Sequence, residues 1–168
     1  MKLIIQGNSI AGTATDDYQG PEQFITAPDG FDPSQMQNYS IINGEAVITL
    51  ATAQGLQMAI LAAAYQNAIS QPVSYTSKGG VAETFQADPG STVNLQSTIL
   101  GLQITGTTPT GFYWIAADNT QVPFTYADLQ GLAETMLVQR WTAFQHLQAQ
   151  KTAVNSATTV SGVMAVTW

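Results

Sequence analysis

FYWIAADNTQVPFTYADLQGL, residues 112–132, contains three local structure signals in immediate succession. Two β-prone runs flank Asp118-Asn119, a pair that tolerates the backbone conformation of a tight turn, so they predict a hairpin. Pro123 lies in the second run and predicts a sheet edge, because proline has no N–H to donate. Thr125 and Asp128 then form a capping-box pattern. The passage therefore predicts a hairpin that leads directly into a helix.

The helix after Thr125 is predicted to be the longest in the chain. Arg140 interrupts its apolar stripe, Trp141 lies beside the stripe, and a short apolar tail ends on Trp168. The buried face of this helix is predicted from apolar residues at helical spacing. These residues are Leu129, Leu132, Ala133, Met136, Leu137, Phe144, Leu147 and Val154.

A helix, a hairpin and a second helix are predicted upstream of residue 112. The hairpin turns at Lys78-Gly79-Gly80, and Asp88 before Pro89 starts the second helix as its N-cap. Leu95, Ile99 and Leu102 form the buried face of that helix. The first helix spans residues 51–69, and its apolar face is predicted to consist of Leu56, Ile60, Leu61, Ala64, Tyr65, Ala68 and Ile69.

The first fifty residues are richer in β-strand signals than in helix signals. Residues 2–6 predict a short strand, Asn43-Gly44 predicts a hairpin, and residues 11–37 are predicted to be a loop because glycine and proline recur there. We therefore divide the chain into a β-rich region, residues 1–50, and a domain of residues 51–168. The predicted fold class is α+β, with helix–hairpin–helix–hairpin–long helix and antiparallel pairing after the β-rich piece.

Charged side chains make up only 9% of the chain, against roughly 25% in ordinary soluble domains. Four basic residues and a net charge of −7 exclude nucleic acid and argue against an anionic membrane surface as partners. A neutral polar surface is desolvated more readily than a charged one, which favours a protein partner. Compositional drift explains the same observation equally well.

Cysteine is absent from the sequence, which excludes disulfides, thiolate metal sites and thiol nucleophiles. The N-terminal residues lack the apolar run of a secretory signal, and no stretch has the length of a membrane-spanning helix. We therefore expect synthesis in the cytoplasm.

His146 is the single histidine, so a Ser–His–Asp relay would have to use it, but no nucleophile motif accompanies it. Asp16-Asp17 and the pair Asp29 and Asp32 could serve glycoside hydrolysis or a calcium loop. Turn chemistry is the simpler interpretation, because aspartate favours loop backbones. We predict no catalytic, cofactor-binding or metal-binding residues, and no enzyme activity.

The order of these signals resembles a domain of unknown function at the C-terminus of bacteriophage tail-fibre assembly and fibre-associated proteins. The resemblance covers residues 54–168 and rests on four passages: LQMAILAAAYQNAI, the hairpin leading into FQADPGS, residues 112–132, and RWTAFQHLQAQKTAVNSA followed by TTVSGVMAV. In those proteins an aromatic strand, an Asp-Asn type turn and a Thr-x-x-Asp-Leu helix start succeed one another, as Trp114, Asp118-Asn119 and residues 125–129 do here. The chain departs from them in having lost most charged residues.

The resemblance implies a non-enzymatic tail-fibre component, present in the virion, or an assembly chaperone that binds the fibre protein. Self-association as a homo-oligomer is also possible on this basis. A host-receptor module that binds cell-surface glycan at the fibre tip is the alternative. The side chains expected at the partner interface are Trp141, Trp168, Arg140 and Tyr113, because exposed aromatic and arginine side chains dominate such interfaces.

Overall fold

A computed structural model describes residues 1–29 and 31–168 of the chain. It confirms the predicted α+β class, with strands before and between the helices and antiparallel pairing throughout the described sheets. The helices are α1 (Leu50–Ile69), α2 (Pro89–Leu102), α3 (Tyr126–Ser156) and α4 (Val160–Met164). The strands are β1 (Lys2–Gln6), β2 (Ser9–Ala14), β3 (Gln23–Thr26), β4 (Ser40–Ile42), β5 (Glu45–Val47), β6 (Val73–Thr76), β7 (Ala82–Phe85), β8 (Tyr113–Ile115) and β9 (Gln121–Pro123).

The N-terminal sheet has the order β2-β1-β3, with β1 in the centre. The prediction of a loop over residues 11–37 is therefore wrong in part, because this range holds most of β2, all of β3 and a 3₁₀ helix at Pro33–Asn38. The signals of these short strands are weak on their own. Strand β1 supplies hydrogen-bonding partners on both edges, and this tertiary pairing decides their conformation. Gly30, also within the predicted loop, lies outside the described residues.

The three predicted hairpins are confirmed. Asn43 and Gly44 both have positive φ, 54° and 82°, in the turn between β4 and β5. Strands β6 and β7 pair around the predicted glycine turn, and β8 and β9 pair around Asn119, whose φ is 71°. Asparagine tolerates this left-handed conformation better than most residues, so the turn sequence explains the geometry.

The structure divides into two compact units. The first consists of residues 1–59 and 151–167, and the second of residues 60–150 with residue 168. Within the first unit, Gln57 is buried and its side-chain nitrogen donates a 2.5 Å hydrogen bond to the Val166 carbonyl oxygen. A buried amide needs such a partner, since an unpaired one would be strongly destabilising.

The core of the second unit is built around three aromatic rings. Phe85 and Phe124 have ring centroids 5.2 Å apart, and Tyr75 lies 5.9 Å from Phe124. The tilted arrangement is one that aromatic pairs favour. Aliphatic side chains from β6, β9, α2 and α3 complete the core, and they include Val73, Leu95, Val122, Leu129, Leu132 and Met136.

Two predicted helix faces require correction. On α1, Leu61 is fully buried but Ile60 is exposed. On α3, Leu137 and Phe144 were predicted to be buried and are exposed. Each is the chain neighbour of a buried residue, Leu61, Met136 or Ala143, and one step along a helix rotates a side chain by about 100° around the axis. The buried side chains of α3 are Asp128, Leu129, Leu132, Met136, Ala143, Leu147 and Val154.

In the part of the chain that the structure describes, no helix combines the length and the apolar character needed to cross a membrane.

Candidate functional site

Three apolar side chains form an exposed row on α3, which we call the aromatic stripe: Leu137, Trp141 and Phe144. Their exposed fractions are 65%, 56% and 40%. The spacing of four and then three residues places them on one face of the helix, next to the face that packs into the core. An exposed apolar row of this kind makes this face of α3 a candidate surface for binding a partner.

The two rings of the aromatic stripe support each other. Trp141 and Phe144 stack with centroids 5.7 Å apart and an interplanar angle of 22°. The contact limits their rotamers, so less side-chain entropy remains to be lost on binding. On α2, in the same unit, Val93 and Leu100 are also exposed and lie seven residues apart on one helix face. The second unit thus presents apolar side chains from two helices to solvent.

Arg140 lies beside the aromatic stripe, at a partly buried position of α3. One of its terminal nitrogens, Nη2, donates a 3.0 Å hydrogen bond to the Thr92 hydroxyl of α2. Its Nε is buried without a hydrogen-bond partner. This cation is thus paired with a hydroxyl, and the guanidinium links α3 to the start of α2.

Tyr113 is 46% exposed on β8, away from the aromatic stripe in sequence and on another element. It lines a cleft together with Gln86, Asn94, Trp114 and Asn119, among others. In this cleft the structure brings one of the four predicted interface residues, Tyr113, together with three amide side chains.

Trp168 is partly exposed and its ring meets His146 edge to face, with centroids 4.7 Å apart. The other ring contact of His146 is with the Gln150 amide, at 3.4 Å. Neither neighbour is a nucleophile or an orienting carboxylate of the kind that a hydrolytic relay uses. The arrangement supplies packing between α3 and the C-terminal residue.

Three aspartates from the acidic pairs of the N-terminal region, Asp16, Asp17 and Asp32, make contacts within that region. Asp16 forms an ion pair with the N-terminal amine at 2.5 Å. A side-chain hydrogen bond from Thr15 lowers the pKa of Asp17. Asp32 caps the 3₁₀ helix through the N–H and hydroxyl of Ser34, and these bonds lower the pKa of Asp32. Among residues 1–29 and 31–168, no group of three acidic or histidine side chains is placed to hold a metal ion.

Asp128 is buried, and among the described residues its carboxylate accepts hydrogen bonds from three other residues, Tyr75, Lys78 and Thr125. Its Oδ2 accepts from the N–H and hydroxyl of Thr125, and Thr125 Oγ1 accepts from the Asp128 N–H, which completes the predicted capping box. Its Oδ1 accepts from the backbone N–H of Lys78 at 2.6 Å and from the Tyr75 hydroxyl at 3.3 Å. The sequence gives no signal for this second set, which depends on how the β6–β7 hairpin packs on α3.

The burial of Asp128 by itself raises the pKa of this carboxyl, but the hydrogen bonds from Thr125, Lys78 and Tyr75 together outweigh it and hold the pKa below its ordinary value of 3.8. Burial, followed by the nearby Asp128 charge, raises the pKa of Tyr75. Both shifts favour the ionised carboxylate accepting from a neutral phenol. This network is structural, since it fixes the start of α3 against the turn of a hairpin.

A comparison of the chain with curated proteins found no match, and a comparison with solved structures found none. Residues 48–166, more than two thirds of the chain, match the protein family described as a domain of unknown function (DUF4376). The match includes all of α1, α2, α3 and α4, together with the β6–β7 and β8–β9 hairpins. On the strength of that coverage, this chain belongs to the DUF4376 family.

Proposed function

We propose that this protein is a non-enzymatic component or assembly chaperone of a bacteriophage tail fibre, and that it binds the fibre protein. The observation that carries the binding function is the aromatic stripe, with Trp141 and Phe144 stacked and exposed on α3. The phage context rests on the resemblance of residues 54–168 to fibre-associated proteins. The proposal covers two roles: a permanent component of the virion, or a chaperone that leaves once the fibre is assembled.

The surroundings of the aromatic stripe suit a protein partner. Tryptophan and phenylalanine bury large apolar areas, and tryptophan is among the residues most often dominant in protein interfaces. Polar positions near the stripe are mostly uncharged amides and hydroxyls, including Thr142, Gln145 and Gln148. Covering uncharged groups incurs a smaller desolvation cost than covering charges. The stripe can therefore become the centre of an interface with a neutral rim.

The binding function is tested with the fibre protein of the same phage, purified and titrated against this chain. We expect Trp141→Ala to weaken binding by at least roughly thirtyfold, which corresponds to a dominant interface residue. Ile60→Ala is the matched control, because Ile60 is as exposed as Trp141 and lies on another helix. Equal affinity of the wild-type protein and W141A for the fibre protein would contradict the proposal.

The two roles are separated by quantitative mass spectrometry of purified virions. A fixed ratio of this protein to the fibre protein identifies a structural component. Abundance in infected-cell lysate without presence in virions identifies a chaperone. Absence of any association with the fibre protein in both samples would remove the tail-fibre function altogether.

The alternative function, a receptor-binding module for cell-surface glycan at the fibre tip, is favoured by a different observation. Tyr113 and Trp114 lie with three amide side chains around one cleft of the second unit, and such a mixture suits a neutral hydroxylated ligand.

A further inference from the structure

We infer that the cleft between the β8–β9 hairpin and the start of α2 is a binding site for a neutral saccharide. Its volume is about 370 Å³, within the range of pockets that hold small ligands. The inference rests on the alternative function given above, and the cleft is lined by other elements than the α3 aromatic stripe, so saccharide binding and binding of the fibre protein can fail separately. The lining residues used below are Gln86, Asn94, Tyr113, Trp114 and Asn119.

The cleft opens where two hairpins separate. The Ala117 N–H donates a 2.7 Å hydrogen bond to the Thr84 carbonyl oxygen, which joins the end of β8 to β7. After β7 the chain passes through Gln86 into α2. The gap that results is lined by β8 on one side and by Gln86 and the first turns of α2 on the other.

The backbone of β8 presents unpaired polar groups to this gap. Just outside the two strands, the Phe112 carbonyl accepts from the Phe124 N–H and the Ala116 N–H donates to the Thr120 carbonyl, so the peptide groups at the even-numbered positions from 112 to 116 face the β9 side of the hairpin. Antiparallel pairing alternates, and the peptide groups of Tyr113 and Ile115 therefore face the opposite edge. Ala117 has the same parity and bonds Thr84, which shows that this edge faces β7 and the cleft.

Three amide side chains from separate segments converge on the cleft. Gln86 precedes α2, Asn94 lies on α2, and Asn119 lies in the β8–β9 turn. The β8–β9 turn explains why asparagine occupies position 119, where φ is positive. It does not explain the amide side chains of Gln86 and Asn94, which lie outside this turn. Each amide offers a donor and an acceptor, and so does each hydroxyl of a sugar. The ligand predicted from this complementarity carries several hydroxyl groups.

The remaining lining restricts the ligand further. No residue that lines the cleft, among those described, is charged, so an ionic ligand would lose hydration without gaining a counter-charge. Phe112, Tyr113 and Trp114 supply aromatic surface, and Tyr113 is nearly half exposed. The C–H face of a sugar ring packs against such a surface while its hydroxyls reach the amides. A neutral saccharide satisfies both parts of the lining.

An extended peptide added to the edge of β8 is the competing occupant. The free edge is short, because the Ala117 N–H is already bonded to Thr84 and Gly111 leaves the strand conformation with a φ of 78°. Only the peptide groups of Tyr113 and Ile115 remain for a ladder in the described strand. Strand addition derives its affinity from main-chain hydrogen bonds, and two residues provide few of them. The edge thus favours a compact ligand over a peptide strand.

The inference is tested by nuclear magnetic resonance titration of the ¹⁵N-labelled full chain. The probes are four neutral disaccharides, cellobiose, maltose, lactose and N,N'-diacetylchitobiose, and the neutral tripeptide acetyl-Thr-Val-Thr-amide represents the competing peptide class. We expect at least one disaccharide to give saturable shifts at the Tyr113 and Ile115 amides and at the side-chain amides of Gln86 and Asn94. The dissociation constant is expected near ~1 mM or below.

Substitutions then assign the binding to the cleft. The double variant Gln86→Ala/Asn94→Ala changes two exposed side chains and is expected to weaken the disaccharide by at least roughly tenfold. Gln145→Ala, an exposed amide on α3, is the matched control and is expected to leave binding unchanged. Any one of three results would overturn the inference: no saturable shifts with any of the four disaccharides, unaltered affinity in the double variant, or shifts produced by the tripeptide alone.

Discussion

Gly131 on α3 lies directly against the ring of Tyr75 on β6. A β-carbon at position 131 would be 2.5 Å from the Tyr75 hydroxyl oxygen and 2.9 Å from two ring carbons. The ring cannot move freely, because it packs on Phe124 and its hydroxyl bonds Asp128. The glycine is therefore required by packing, even though it lies in a helix where glycine is intrinsically unfavourable.

Gly131→Ala is expected to destabilise the protein by about 1–3 kcal/mol, because overpacking at Tyr75 outweighs the gain in helix propensity. Gly55→Ala is the matched control, since nothing lies within 4 Å of a β-carbon at that α1 position. It is expected to stabilise by roughly 0.5–1 kcal/mol. Urea unfolding measures both values, and a stabilising G131A would contradict the close contact.

Asp128→Asn is expected to lower the free energy of unfolding by about 2–4 kcal/mol, because it weakens charge-assisted hydrogen bonds at a buried site. Asp118→Asn is the control, as Asp118 bonds Thr120 in an exposed turn that asparagine also suits. Its effect should stay within about 0.5 kcal/mol. Comparable losses in the two variants would show that burial of Asp128 adds nothing.

The stability contributed by Asp128 is expected to depend on pH. Its pKa in the folded protein is lowered from 3.8, so its contribution is complete above that value and is lost as the pH falls through the folded pKa. The difference in unfolding free energy between the wild type and D128N should therefore shrink as the pH falls below about 4. Denaturation midpoints measured from pH 7 to pH 2.5 check this, and a constant difference would count against an ionised Asp128.

Thr92→Val is expected to destabilise by about 1–3 kcal/mol, because it removes the acceptor that Arg140 uses and leaves a partly buried cation unsatisfied. In an Arg140→Met background the same change should cost much less. The four proteins form a double-mutant cycle whose coupling energy reports the Thr92–Arg140 interaction. A T92V cost that is identical in both backgrounds would assign the loss to the threonine's own helix contacts.

Local turn and capping signals predicted the three hairpins and the starts of α2 and α3. Asn43-Gly44 and Asp88-Pro89 each lie where their short-range chemistry indicates. Such signals act within a few residues, so they do not depend on the rest of the fold. Strand β3, by contrast, acquires its conformation by pairing with β1, and its sequence carries little that distinguishes it from a loop.

The face of α3 that is buried could not be predicted from periodicity alone. Two apolar rows run side by side on this helix, one through Met136 and Leu147 and the other through Leu137, Trp141 and Phe144. Both satisfy helical spacing, and only the packing of the hairpins decides which row enters the core. The amide cleft was likewise hidden, because Gln86, Asn94 and Asn119 come together through tertiary structure.

Asp128 accepts hydrogen bonds over two very different sequence separations, three residues to Thr125 and fifty to Lys78. During folding, the first can form with the opening turn of α3, whereas the second must wait for loop closure and docking of the hairpin. Thr125→Ala removes the two local bonds that the Thr125 hydroxyl makes, and it leaves the bond from the Thr125 backbone N–H and the distant bond from Lys78. The effects of T125A and D128N on the folding and unfolding rates would therefore show whether the hairpin docks on α3 before or after the first turn of the helix has formed.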